Sequence, residues 1–446
     1  MEKLFHLKEN GTTVKTEILA GITTFLAMAY ILAVNPDILS VTGMNKGGVF
    51  VATALSAAIA TLIMAFWANY PIALASGMGL NAYFAYTVCG QDGASWQVAL
   101  TAILIEGLIF ILLSAFKFRE TLVNCIPANL KYGITTGIGL FITLIGLKNA
   151  GIVISDQATL VALPGKLTDP GVVLALVGIL LIGVMLYYNI KGAILWGILG
   201  TWVLGILAQL VGWYQGVSLL PDFAQNNIGA NFAGLGEIAF KFDFGWVGAH
   251  VMDFIVIVFA FLFVDLFDTV GTLVGVAAKG DMLDKDGKLP RVGRALMADA
   301  IGTCAGACLG TSTVTSYVES SAGVVEGGRT GLTSLTTAIL FILALFLSPV
   351  FLAIPGFATA PALVIVGLFM MSSVSKVKFE GDMADVLGAF IAIIMMPFTY
   401  SIANGIMFGV LAWMILKICR GKFKDIHPIM WIVFVLFVLR IVTLVI

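Results

Sequence analysis

The sequence predicts an all-α polytopic membrane protein with about fourteen transmembrane helices, and three observations carry this prediction. Of the 446 residues, 60% are hydrophobic and only 11% are charged, whereas about 25% of residues are charged in an ordinary soluble domain. The mean hydropathy is +1.05. The apolar residues form runs of roughly 20, the length that a helix needs to cross a bilayer. The net charge of −1 argues against nucleic acid as a partner.

The apolar runs divide into two sets of seven. The first set covers 17–34, 48–69, 72–88, 96–115, 130–149, 171–189 and 192–212. The second set covers 249–273, 293–309, 313–325, 331–350, 359–375, 383–400 and 402–419. A last run, 429–446, contains Arg440 and fits either an interfacial helix or a fifteenth crossing.

The distribution of lysine and arginine supports this assignment independently. With a cytoplasmic amino terminus, nineteen of these residues fall on the cytoplasmic side and only Lys46, Lys148, Lys166 and Lys241 on the outer side. This is the bias of the positive-inside rule, and one missed helix would destroy it. Residues 1–17 show no signal-peptide core. We therefore expect a multi-pass protein of the inner (cell) membrane, inserted by its own spanning segments.

The third and tenth runs are unusual for membrane helices and stand at matching places in the two sets. The third begins after Pro71 and has two glycines and Asn81 near its centre, and the tenth is short and carries Glu319 among serines and threonines. Such interrupted segments indicate broken helices around a midplane substrate site, as in secondary transporters.

A seven-plus-seven inverted repeat accounts for this spacing. The seventh and fourteenth runs are similar over 189–206 and 401–418, and the fifth and twelfth runs each follow an Ile-Pro pair. Because seven is odd, the two halves must insert in opposite orientations, a common plan of secondary transporters. Chance similarity between glycine-rich apolar helices is the alternative.

Carboxyl groups inside the runs are the strongest functional signal, because an ionisable side chain in a membrane helix marks a functional site by default. Asp265 and Asp268 stand three apart on one face of the eighth run, and Glu319 is the third acid. Burial disfavours the charged form of a carboxyl group, so all three are candidates for proton coupling. A carboxylate also accepts two parallel hydrogen bonds from a planar heterocycle.

Three further residues complete the predicted substrate site. Asn81 offers a neutral donor and acceptor, and Phe267 and Tyr317 flank the acids. Stacking on such a ring is worth roughly 1–3 kcal/mol per base in nucleic-acid binders. The structural alternatives are a helix–helix hydrogen bond for Asn81 and ordinary packing for the aromatic rings.

For most other polar residues in or near the runs, a structural role is favoured. Asp253 and Asp299 are expected near helix ends, in interfacial or capping positions, whereas Glu106 fits a structural and a functional role equally well. Cys304 and Cys308 stand among small residues without a nearby histidine, so packing is favoured over a metal pair.

The sequence argues against an enzyme and against ATP-driven transport. The three histidines lie at the ends of runs, with no nucleophile–base pair or metal cluster, and the glycine motifs lack Walker spacing. No cofactor or metal is predicted. An anion transporter or channel of the same architecture is the alternative function, although two or three buried acids would repel an anion.

Five long segments carry a resemblance to a known family: 11–36, 75–86, 265–276, 311–334 and 395–406. They occur in order over essentially the whole chain. The sequence thus resembles the nucleobase–cation symporter 2 family, in its AzgA-like purine-permease branch.

The resemblance implies the fold of the uracil transporter, with a core domain and a gate domain. Residues 1–116 and 248–350 would form the core domain, and residues 117–247 and 351–446 the gate domain. Broken helices three and ten would meet beside helix eight, and transport would be an elevator-like movement of core against gate. Members of this fold can form homodimers, but the sequence identifies no interface.

The resemblance also implies proton symport of a purine nucleobase and assigns the site residues by motif position. Glu319 is the acid of the tenth helix, Asp268 that of the eighth, Asp265 the second acid of the branch and Asn81 the asparagine of the third helix. Some relatives have Glu in place of Asp268, which leaves direct and water-mediated contact open. Guanine and hypoxanthine are favoured over adenine, although differently protonated carboxyl groups could serve either.

Overall fold

The computed structural model describes residues 2–115, 126–156, 159–165, 167–284 and 289–445. Within these residues, eleven helices are long and apolar enough to cross a membrane, and they coincide with eleven of the fourteen predicted runs. The third, tenth and thirteenth runs do not form helices of that length. The chain is therefore a mostly helical polytopic membrane protein, and the count of fourteen spans stays a prediction.

The α-helices succeed one another along the described chain with the following bounds. The first half contains α1 Glu2–Phe5, α2 Val14–Met28, α3 Ile31–Ser40, α4 Lys46–Ile63, α5 Met78–Ala82, α6 Trp96–Ala115, α7 Ala128–Asn149, α8 Pro170–Tyr187, α9 Ala193–Leu210, α10 Ile228–Ile238 and α11 Phe244–Ala249. The second half contains α12 Val251–Lys279, α13 Val292–Leu309, α14 Ser320–Val325, α15 Gly331–Ala344, α16 Ser348–Leu352, α17 Gly356–Met371, α18 Met383–Phe398, α19 Ile402–Cys419 and α20 Pro428–Val445.

Shorter elements lie between these helices. The strands are β1 Leu74–Ser76, β2 Ile154–Asp156, β3 Leu160–Ala162 and β4 Val314–Ser316, and the π-helical turns are Met64–Ala68 and Tyr83–Gln91. The 3₁₀ turns are Leu345–Leu347, Ser372–Lys376 and Phe423–Asp425. Strands β1 and β4 pair with each other, and β2 pairs with β3, so the chain is not strictly all-α.

The pairing of β1 with β4 positions the middle of the molecule. The strands are antiparallel, with Ala75 opposite Thr315, and both are buried. The Gly77 amide extends the ladder by donating to the Thr313 carbonyl at 2.9 Å. Inside a membrane every backbone polar group needs a protein partner. Two non-helical stretches can supply these hydrogen-bond partners by pairing with each other.

Most of the long helices pack in two groups. In one group, α7 lies against α17 and α18, α18 against α19, and α8 against α9 and α17. In the other, α13 and α15 lie against α4, α13 against α6, and α15 against α2. Small residues allow close approach in the first group: a Cβ added to Gly139 would lie 2.7 Å from the Gly367 carbonyl oxygen.

Some residues used in the sequence argument lie outside the described residues. They are Lys117, Arg119, Lys166, Lys285 and Lys288 from the charge distribution, together with Cys125. The predicted domain boundary between residues 116 and 117 falls there as well.

Candidate functional site

A cavity of about 400 Å³ lies where the β1–β4 pair meets α12, α7 and α17. This volume is within the range of roughly 300–1,000 Å³ typical of small-molecule sites. Of the six predicted site residues, Glu319, Asp268, Phe267 and Tyr317 line the cavity. Asn81 and Asp265 do not.

Glu319 lies three residues after the end of β4 and immediately before α14, and its side chain lines the cavity. The Tyr30 hydroxyl donates a hydrogen bond to Glu319 Oε1 at 2.7 Å. Tyr30 stands between α2 and α3 and is only 1% exposed. No sequence pattern marks Tyr30, because it lies in an apolar run. It could have been recognised only from the principle that a buried tyrosine hydroxyl usually has a hydrogen-bond partner.

Asp268 reaches the same cavity from α12. Its Oδ2 accepts a hydrogen bond from the Thr315 hydroxyl of β4 at 3.2 Å. Asp268 and Glu319 are both partly exposed, so each can present oxygen atoms to a ligand in the cavity. Two carboxyl groups on one apolar-walled cavity can accept hydrogen bonds from N–H groups and can exchange protons with a bound molecule.

The two predicted aromatic residues line the cavity in different ways. Phe267 is half-buried and packs edge-on against Phe263, with ring centroids 5.7 Å apart. Tyr317 is nearly buried, and its hydroxyl donates to the Ser76 carbonyl oxygen at 2.5 Å. Because that hydroxyl already bonds β1, the cavity receives the ring of Tyr317 as an apolar surface.

Asn81 lies behind the cavity wall, in α5. It is fully buried, and its side-chain oxygen accepts a hydrogen bond from the Ser312 hydroxyl. This bond joins α5 to the segment that leads into β4. The contact matches the structural alternative for Asn81, a hydrogen bond between membrane segments.

Asp265 is also fully buried and faces α13. The Thr269 hydroxyl lies 3.0 Å from Asp265 Oδ1 and 2.8 Å from Asp299 Oδ1. Asp299 is therefore not at a helix end as expected: it lies inside α13, with no exposed surface. Many of the residues around Asp299 in the sequence are small, and they do not indicate that this part of α13 is buried.

Two further buried acids form hydrogen bonds with segments near the site. Glu106 Oε2 accepts a hydrogen bond at 2.9 Å from Thr313, next to β4. Glu17 in α2 accepts hydrogen bonds from the amides of Arg329, Thr330 and Thr333, at the amino-terminal end of α15, and from the Thr333 hydroxyl. A carboxylate at a helix amino terminus stabilises that helix, so the role of Glu17 is structural.

Asp253 lies in the first turn of α12, in agreement with the expectation of a position near a helix end. Its carboxylate forms an ion pair with Arg440 of α20. The last apolar run is thus a helix packed against α12 and α19, and Arg440 lies beside a carboxylate.

The chain matches the profile of a protein family described as a permease family over residues 15–408. The adenine permease AdeP of Escherichia coli is 42% identical over 99% of this chain and 96% of its own length. The guanine/hypoxanthine permease PbuO of Bacillus subtilis is 44% identical over 98% of this chain and 99% of its own length. The relatives are thus named as transporters, with two kinds of purine in their names.

Among solved structures, the transmembrane domain of a cyanobacterium bicarbonate transporter, BicA, has a similar fold. The TM-score is 0.65, and the similarity covers 88% of this chain and 97% of that domain at 14% sequence identity. At this identity the likeness shows the fold alone.

Proposed function

The chain belongs to the permease family of nucleobase–cation symporters, the second class of these transporters, and from that premise we propose that it imports a purine nucleobase together with a proton. It is a transporter of the membrane and not an enzyme, as its relatives are permeases. The observation that carries the proposal is the position of two acids, Asp268 and Glu319, on one cavity with aromatic walls.

The proposed binding mode follows from the hydrogen-bonding groups of a purine. Glu319 accepts a hydrogen bond from the N–H edge of the base, since an ionised carboxylate only accepts. Asp268 contacts the opposite edge or carries the coupling proton. Phe267 and Tyr317 cover the faces of the ring. Asn81 acts indirectly, through the segments that it joins, and Asp265 takes part in proton coupling.

Proton coupling is supported by the contacts of Thr269. A hydroxyl group has one proton to donate, yet Thr269 lies within hydrogen-bond distance of both Asp265 and Asp299. If both contacts are hydrogen bonds, one of the two carboxyl groups must be protonated and donate to Thr269. We propose that this buried pair, in addition to Asp268, is a second place where the proton that accompanies the base can be held.

The proposed architecture has fourteen segments in a seven-plus-seven inverted repeat, with segments three and ten discontinuous. The short β1–β4 pair in those segments supports it, and so does the packing of the long helices in two groups, which fits a core and a gate domain. The cavity extends to Lys131 and Lys376, which the charge distribution assigns to the cytoplasmic side. We therefore propose an inward-facing state of an elevator-like transporter of the inner membrane, with a cytoplasmic amino terminus; a homodimer stays a prediction.

Helix α20 is proposed to be an additional crossing. Its 18 residues give a length of about 27 Å at 1.5 Å per residue, close to the thickness of the hydrocarbon core. Its ion pair with Asp253 is at the start of α12, which the charge distribution places on the outer side. The carboxy terminus then lies outside.

Uptake of labelled bases into cells that lack their own purine permeases tests the function. We expect uptake of hypoxanthine and guanine, and its collapse on addition of an uncoupler; uptake of adenine alone would move the substrate to the other purine class. Uptake of none of the three would contradict the proposal. Sulfate uptake would favour the anion-transport alternative, which the buried acids disfavour.

A further inference from the structure

Tyr30 makes a contact that no charge pattern in the sequence anticipates. It stands at the junction of α2 and α3, within the first span, and its side chain is buried. Its hydroxyl donates to Glu319 Oε1 at 2.7 Å across 289 positions of sequence, and both residues line the cavity. The contact joins the first span to the segment that carries the proposed base-binding acid.

The hydrogen bond restricts what Glu319 offers to a ligand. Tyr30 fixes the orientation of the carboxylate and places its own oxygen atom beside Oε1. The other oxygen, Oε2, is then the one that is free of Tyr30 and available to the N–H edge of a base. Oε1 keeps a second lone pair, but it already accepts the Tyr30 hydroxyl, so it is the weaker of the two oxygens as an acceptor for a ligand.

Purines differ in how many donors they present on this edge. Hypoxanthine presents one donor, N1–H, beside a C2–H group, whereas guanine presents N1–H and a 2-amino group side by side. A carboxylate with both oxygens open would favour guanine, because two parallel hydrogen bonds are stronger than one. With Oε1 engaged, the advantage of guanine is reduced.

We propose that Tyr30 is a positioning residue that orients Glu319 and sets the choice between one-donor and two-donor purines, a role that rests on the proposed function. Without the hydroxyl, Glu319 loses its fixed orientation, which weakens capture of hypoxanthine. The loss of binding is smaller for guanine, because its amino group can donate a hydrogen bond to Oε1 once Tyr30 no longer does.

The test is the uptake efficiency, Vmax/KM, of Tyr30→Phe for hypoxanthine and for guanine at matched membrane abundance. We expect a loss of roughly tenfold for hypoxanthine, the effect of one hydrogen bond to a charged group. For guanine we expect a smaller loss of about threefold or less, because a second bond compensates. Tyr30→Met, a second variant without the hydroxyl, should shift the ratio in the same direction.

Tyr83→Phe is the matched control. Tyr83 is as deeply buried as Tyr30, but its hydroxyl has no hydrogen-bond partner among the described residues. Its removal should leave both efficiencies unchanged.

The possible outcomes separate the two levels of the account. Equal losses for the two bases, or unchanged uptake in both Tyr30 variants, would overturn the role of Tyr30 while wild-type uptake upholds the proposed function. Uptake of adenine alone by the wild type would overturn the role of Tyr30 and leave purine transport standing. Uptake of none of the three purines would overturn the proposed function and this role together.

Discussion

Replacing Glu17 by glutamine distinguishes a structural buried acid from the proposed transport acids. Glu17 Oε1 accepts from the Arg329 amide at 2.8 Å. Oε2 accepts from Thr330 at 3.3 Å and from Thr333 at 3.1 Å and 2.6 Å. In Glu17→Gln an NH₂ group replaces one acceptor, so even in the better orientation one N–H group faces another donor.

The magnitude follows from these contacts. One hydrogen bond to a charged group is lost, at about 1.5–3 kcal/mol, and a buried donor stays unsatisfied at about 1–3 kcal/mol. The three other bonds weaken because the acceptor is no longer charged. We expect destabilisation of about 3–5 kcal/mol, a large part of the roughly 5–15 kcal/mol that stabilises a folded protein.

The assay is the melting temperature and the amount of monodisperse protein after extraction in mild detergent. Glu326→Gln is the control: Glu326 lies near the same helix start but forms a partly exposed ion pair with Lys191, worth at most about 1 kcal/mol. Glu17→Gln should lower the melting temperature and the yield, and Glu326→Gln should barely change them. Wild-type stability of Glu17→Gln would refute the structural role.

Three other changes test neighbouring parts of the account. Thr315→Val removes the donor to Asp268 and should lower Vmax/KM for the transported purine by about tenfold; an unchanged value would mean that this hydrogen bond does not support binding. Thr269→Val removes the link between Asp265 and Asp299, so accumulation against a gradient should fall while exchange of internal for external base persists. Equal loss of both activities would contradict a role in coupling. Alkaline phosphatase fused after residue 446 should be active, and a fusion after residue 422 inactive; two inactive fusions would remove α20 from the list of crossings.

Composition sufficed to predict the long spans, because a helix in lipid must be apolar over its whole length. The third and tenth runs were also recognisable, since glycine, proline and polar residues are unfavourable in a continuous membrane helix. The pairing of the two interrupted segments with each other was harder to predict from the sequence. The register of Ala75 against Thr315 joins residues 240 positions apart, and no local pattern encodes it.

The site was only partly predictable, for a geometric reason. Residues three apart on a helix differ by about 60° around the axis. That difference lets Asp268 reach the cavity while Asp265 faces Asp299 on α13. Sequence spacing gives the angle between two side chains, but not the direction of the cavity.

Two residues could not be identified by searching for charged side chains inside the apolar runs. Tyr30 carries no charge, and its role depends on a contact with Glu319 far along the chain. Glu17 stands at the start of a run, where charged residues are common, and its partners begin at Arg329. Both were detectable only through the requirement that buried polar groups find hydrogen-bond partners.

The most direct test of the central claim is hypoxanthine uptake by Glu319→Gln at wild-type membrane abundance. If Glu319 is the acceptor for the base, the amide loses the charge and one acceptor oxygen. We expect Vmax/KM to fall by roughly a hundredfold, to the level of cells without the protein. Uptake within twofold of the wild type would contradict the account, because the cavity would then bind its purine without the Glu319 carboxylate.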